Sequence, residues 1–209
     1  MVLIFKEPPR MGYCTPVIYD DELYAALLPN PIHLFYAQAI EHANSVSNTV
    51  KLFPNSIEEK LNQGTIGEFN IIRSDIYNNY LIYKISSITS LIMAVESFVN
   101  LIIPDNYKFN DLGKNYNKAD IERFYNLKEK ITKVIPAIVK ISNMSEYQKL
   151  YSKVIEINLL RNEFIHLKTK RDNKGDPFID HFEALINMDL DEKINDIKKF
   201  INFVKPDYL

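Results

Sequence analysis

Leu81, Ile85, Ile88, Ile92, Val95, Val99 and Ile102 recur at alternating steps of four and three. At about 3.6 residues per turn, such steps keep an apolar stripe on one side of a helix. The spacing predicts a long helix from about residue 67 to 103, stopped by Pro104. A stripe that long is stable in water only when other helices cover it. The chain is thereby committed to a helical bundle.

The flanking segments offer the covering helices. Asn30-Pro31 is a helix start, an N-cap followed by proline at the first helical position. Ile32, Phe35, Ala39, Ala43, Val46, Val50 and Phe53 then share a face until Pro54. Ser56-Ile57-Glu58-Glu59 reads as a capping box for a short helix ending near Gly64. Residues 104–117 read as a loop. Leu127, Ile131, Val134, Ile138 and Ile141 predict a further helix, bent near Pro136. Ser145-Glu146-Tyr147-Gln148 opens another, with Leu150, Val154, Ile157, Leu160, Phe164 and Leu167 inside. Asp189-Leu190-Asp191-Glu192 caps the last, which buries Leu190, Ile194, Ile197, Ile201 and Val204. Residues 168–176 read as a charged loop. Pro8, Pro9, Pro16 and Pro29 break up residues 1–30, read as an irregular N-terminal arm packed on one domain spanning 31–209, with Val2–Phe5 and Val17–Tyr19 as its candidate short strands.

Composition narrows the function classes. The chain has 209 residues, enough for one well-buried core, and five glycines, too few for a barrel of many tight turns. Its single cysteine, Cys14, permits no internal disulfide and no cysteine-based zinc site. A reducing compartment fits, and the cytoplasm is the expected location. No uncharged apolar run approaches the roughly 18 residues of a membrane span, so no membrane association is expected. The net charge of -2 lacks the basic excess common in nucleic-acid binders. No Gly-rich phosphate loop, His-Glu-x-x-His or Gly-x-Ser-x-Gly occurs, and neither metal nor cofactor is expected.

One segment carries chemistry. In Arg161-Asn162-Glu163-Phe164-Ile165-His166, Asn162 and His166 stand four apart and project from one side of a helix. Arg161 is turned roughly 140 degrees from His166, but its long side chain can reach back. A histidine titrates near neutrality and can move the proton of an RNA 2′-hydroxyl or of the leaving oxygen. A guanidinium can grip non-bridging phosphate oxygens and stabilise added charge. Tyr147 and Tyr151 continue the flank as possible base platforms. Lys168, Lys170 and Arg171 add local positive charge: between 161 and 174 five cations face two carboxylates. The plainer alternatives are a helix-end histidine placed by the dipole, core tyrosines and a solvated lysine loop.

The Arg-Asn-x-x-x-His pattern, preceded by Ile157-Asn158-Leu159-Leu160, resembles the Arg-polar-…-His motif of HEPN domains. Ala94-Val95-Glu96-Ser97-Phe98-Val99-Asn100 resembles their earlier helix, which carries a Glu and an Asn four residues apart. The resemblance covers roughly residues 80–167; residues 1–66 have no counterpart in it. It implies an all-α, HEPN-like bundle that forms a homodimer, with two motifs meeting in a composite cleft. It also implies metal-independent RNA cleavage in toxin–antitoxin, antiphage-defence or RNA-processing settings, where an antitoxin or other protein partner would bind. On the matching positions Arg161 and His166 would be catalytic, Asn162 the polar neighbour, and Glu96 and Asn100 supports from the facing helix. The rival expectation is a non-catalytic helical module on the same fold that binds a protein or small ligand.

Overall fold

The computed structural model of the chain describes residues 2–5, 10–62, 68–165 and 179–209. The architecture is mainly helical. Helix α1 (Pro31–Val50) begins where Asn30 Oδ1 accepts the Ile32 N–H at 3.0 Å. It runs antiparallel to α2 (Ser74–Ile102), and its small buried residues Ala39 and Ala43 let the two axes approach closely. Buried Ser87 donates its hydroxyl hydrogen to the Ala39 carbonyl at 2.9 Å, joining the pair at mid-length. A β-hairpin, β4 (Ile57–Asn62) with β5 (Glu68–Ile72), connects them.

This hairpin replaces the short helix expected after Ser56 and shortens α2, which was expected from about residue 67. Ser56 does not cap a helix. Its hydroxyl bonds back to the Leu52 carbonyl, and its own carbonyl accepts the Arg73 N–H, so the chain enters a strand. Non-local pairing with Phe69-Asn70-Ile71-Ile72 outweighs local helix signals.

Residues 104–117, expected as a loop, hold the hairpin β6 (Lys108–Asp111) and β7 (Lys114–Asn117) around a Leu112-Gly113 turn. Helix α3 (Lys118–Phe124) follows, opened by an Asn117–Asp120 capping box. Next come α4 (Leu127–Glu129), a wider π-helical turn over Lys130–Val134, and α5 (Ile135–Ile138). The proline effect expected at Pro136 therefore takes the form of a π turn. The Ile135 N–H engages the Lys130 carbonyl five residues back, and Pro136 has no N–H to offer Ile131. The Ile131 carbonyl is met instead by the buried Tyr147 hydroxyl at 2.7 Å.

Helix α6 (Met144–Ile165) starts one step before the expected Ser145 cap, because Asn143 Oδ1 takes the Glu146 N–H. Helices α7 (Ile179–Asn187) and α8 (Leu190–Val204) complete the bundle, with Asp189 capping α8 as expected. Helix α8 lies antiparallel to α6. Lys153 holds buried Asp196 through both carboxylate oxygens, at 2.8 and 3.0 Å, and Lys193 meets Glu156. The C-terminal Tyr208 packs on Phe98 and takes a hydrogen bond from Asn30, which ties the tail to the start of α1 and the end of α2.

Helix α2 is the axis of the molecule, touching α1, α6, α7 and α8. It has the length and apolar composition of a membrane span, with a mean hydropathy of 1.6 over 18 residues, although Lys84 and Glu96 leave no uncharged run of that length, as the sequence led one to expect. Half of that window is buried in the bundle, packed against the other helices. Spans and central core helices read alike because both must be apolar on most sides.

The N-terminal arm is not irregular. Strands β1 (Val2–Phe5), β2 (Arg10–Tyr19) and β3 (Glu22–Leu27) form an antiparallel meander. Pro16 is tolerated in β2 because the strand has an open outer edge there, beyond its pairing with β1.

Candidate functional site

The motif helix α6 buries Tyr147, Val154, Ile157, Leu160 and Phe164. That stripe leaves Arg161 and Asn162 half-buried beside it, in the last turn before Ile165. Arg161 Nη1 donates to Asn162 Oδ1 at 2.9 Å, so the two side chains hold each other. The Nε–H of Arg161 is buried and has no acceptor among the described residues. A guanidinium held on one side, with a dry donor on another, is preorganised for an anion that can enter. His166 lies outside the described residues, as do Lys168, Lys170 and Arg171 of the expected basic loop.

The tyrosines divide. Tyr147, expected on the nucleic-acid face, is fully buried. Its ring packs among Tyr151, Phe200 and Phe203, and its hydroxyl serves Ile131. Burial pushes its phenol well above the usual tyrosine range. It has no face for a base and belongs to the core. Tyr151 is partly buried and stacks edge-on against it at 5.4 Å.

Glu96 and Asn100 sit elsewhere. They line a cavity of about 300 Å³ with Glu122, Tyr125, Leu127 and Lys130. The buried Lys130 amine donates to Asn100 Oδ1 at 2.9 Å and to the Glu122 carbonyl at 3.2 Å. Burial pulls that amine below the ordinary lysine range, against the opposing pull of Glu122 and Glu96. Lys130 adjoins Ile131, which Tyr147 contacts, so this cavity marks one end of α6. Arg161 stands fourteen residues on (147 to 161), or roughly 21 Å at about 1.5 Å per residue. Within one chain the structure keeps the two segments apart, and Glu96 and Asn100 do not support Arg161.

Comparison of the chain with family models, with curated proteins and with solved structures finds no match. The site thus rests on its own geometry. A groove of about 450 Å³ runs along the C-terminal half of α6, lined by Glu156, Leu159, Glu163, Asn187, Glu192 and Lys193 among others; neither Arg161 nor Asn162 lines it. Among the described residues no three histidine, cysteine or carboxylate side chains cluster as a metal site would require.

Two buried lysines escaped the sequence reading. Lys84 Nζ donates to the carbonyls of Leu185, Ile186 and Met188 at 2.7–2.9 Å and so closes the C-terminus of α7. Burial lowers its affinity for the proton, and Asp189 opposes that. A signal existed for both. Lys84 falls three after Leu81 and four before Ile88, and Lys130 three after Leu127 and four before Val134. A lysine in register with a buried stripe must find acceptors inside.

Proposed function

We propose that this chain is a metal-independent endoribonuclease of HEPN type, with Arg161 and His166 as its catalytic pair. The observation that carries the reading is the Arg161 guanidinium, fastened to Asn162 through Nη1 while its buried Nε–H has no acceptor among the described residues. A scissile phosphate is an anion that fits such a donor. In this reading Arg161 grips the non-bridging oxygens and stabilises charge added in the transition state. His166 moves the proton of the 2′-hydroxyl or of the leaving oxygen. The internal nucleophile leaves a 2′,3′-cyclic phosphate and a 5′-hydroxyl. Two copies would share the cleft in a homodimer, and a toxin or antiphage role in the cytoplasm, with an antitoxin as partner, follows from the same reading.

The test is incubation with mixed RNA in EDTA, with analysis of product ends. The parent is expected to cleave, and Arg161→Ala and His166→Ala each to lower the rate by about 100-fold or more. Equal cleavage by parent and variants indicates contamination; silence in all three sinks the proposal. A second reading, a non-catalytic helical module, is favoured by one observation: the N-terminal hairpin exposes apolar side chains that a binding partner would cover.

A further inference from the structure

Lys130 is only 8% exposed, yet its side chain lines a cavity. An ammonium carries three hydrogens. Two are taken by Asn100 Oδ1 and the Glu122 carbonyl, and the third has no acceptor among the described residues. Asn100, its Oδ1 occupied, keeps both amide hydrogens without an acceptor among the described residues. The carboxylates of Glu96 and Glu122 line the same cavity and act on the amine through space. Neither accepts a hydrogen bond among the described residues. Spare donors and spare acceptors thus border one volume of about 300 Å³.

This polar end adjoins a larger crevice. Asn100 and Glu122 also line a cavity of about 880 Å³, set between the end of α2, helix α3 and the turn that leads into α1. Leu28, Pro29, Pro31, Ile32 and Leu101 give that part an apolar wall. Each volume falls in the range of small-molecule sites. Lys118 at the rim is matched by Asp105 at 2.7 Å.

Charge selects among ligands. The polar end holds two carboxylates and one ammonium. A simple anion would meet both carboxylates. A simple cation would meet the ammonium and leave the donors of Lys130 and Asn100 unanswered. A group with both signs on neighbouring atoms uses every spare partner, through charge-assisted bonds roughly twice as strong as those of a neutral hydroxyl. The apolar crevice calls for an apolar body on the same molecule. We infer that this crevice binds a free amino acid with a large apolar side chain. Its α-ammonium donates to Glu96 and Glu122, and its α-carboxylate accepts from Lys130 and Asn100. Its side chain lies against Leu28, Pro29 and Leu101. The site is separate from the Arg161 motif, and its ligand is independent of the nuclease reading.

Isothermal titration of the full chain with L-leucine is expected to show one saturable site, with Kd between about 10 µM and 1 mM. L-Leucinamide, which lacks the carboxylate, and N-acetyl-L-leucine, which lacks the ammonium, are each expected to bind roughly 10-fold more weakly or worse. Lys130→Met would also strand the Glu122 carbonyl, so Glu96→Gln and the exposed Leu101→Lys carry the test. Each is expected to weaken L-leucine by roughly 10-fold or more while the helical far-UV spectrum is unchanged. No saturable binding of L-leucine or L-phenylalanine up to about 10 mM overturns the inference. So does leucinamide binding as tightly as leucine, adenosine binding in its place, or leucine binding that ignores both substitutions.

Discussion

A single amine holds the ends of two helices together. Lys84 projects from the central helix and meets three carbonyls at the end of α7, groups that a helix C-terminus leaves without backbone partners. Replacing it with Met keeps the apolar stem but strands those acceptors in a site where the lysine is only 4% exposed. The expected cost is on the order of 2–3 kcal/mol in denaturant unfolding, with no rescue by Lys84→Arg, whose planar fork cannot converge on three carbonyls in this way. Tyr147 is the reverse case, a residue whose sequence setting suggested the surface and whose hydroxyl instead serves a carbonyl that Pro136 leaves unpaired. That role was not legible in the motif, because it depends on a neighbour sixteen residues away in the chain.

At the level of elements, the helices with apolar stripes were readable, as were strands at Val2–Phe5 and Val17–Tyr19, whereas the two later hairpins were not. Stripes are local, whereas β4–β5 and β6–β7 arise from pairing that each strand alone does not announce. The β6–β7 turn also carries an unfavourable residue. Leu112 sits at φ 52° beside Gly113 at φ 80°, the conformation of a primed two-residue turn that prefers Asn-Gly. Leu112 is 97% exposed, so its side chain offsets none of that cost. Leu112→Asn is expected to stabilise the chain by about 0.5–1 kcal/mol, seen as a higher denaturant midpoint at constant slope. An unchanged or lower midpoint would mean that the leucine is held by a contact of its own.

The whole molecule should lose stability in alkali for a stated reason. Unfolded tyrosines ionise near pH 10, whereas burial holds the Tyr147 phenol protonated far above that, and burial together with the Asp111 carboxylate raises Tyr125 to about 12. The folded chain therefore binds more protons than the unfolded chain from pH 10 upward. This contribution is intact below pH 10 and is lost as pH rises through 12. Lys84 and Lys130, both pulled below the usual lysine value, act in the opposite sense near pH 10.5 and soften the decline. Guanidinium melts between pH 8 and 12 are expected to show the midpoint falling above pH 10. Tyr147→Phe should flatten that fall while lowering stability at neutral pH by about 1–2 kcal/mol, since the Ile131 carbonyl loses its partner. A slope identical to the parent's would remove Tyr147 from the explanation.

The amino-acid order by itself determined the helical character, the position of the central helix, the caps at Asn30 and Asp189, and Asn162 beside a buried stripe. Each is set within a few turns of chain, where residue spacing and side-chain chemistry act directly. Only the tertiary structure decided that Tyr147 belongs to the core, that Glu96 and Asn100 face Lys130 at the far end from Arg161, and that the N-terminal arm is a three-stranded sheet. Those outcomes depend on which distant segments meet, and a buried hydroxyl, amine or strand edge takes whatever partner the packing brings to it.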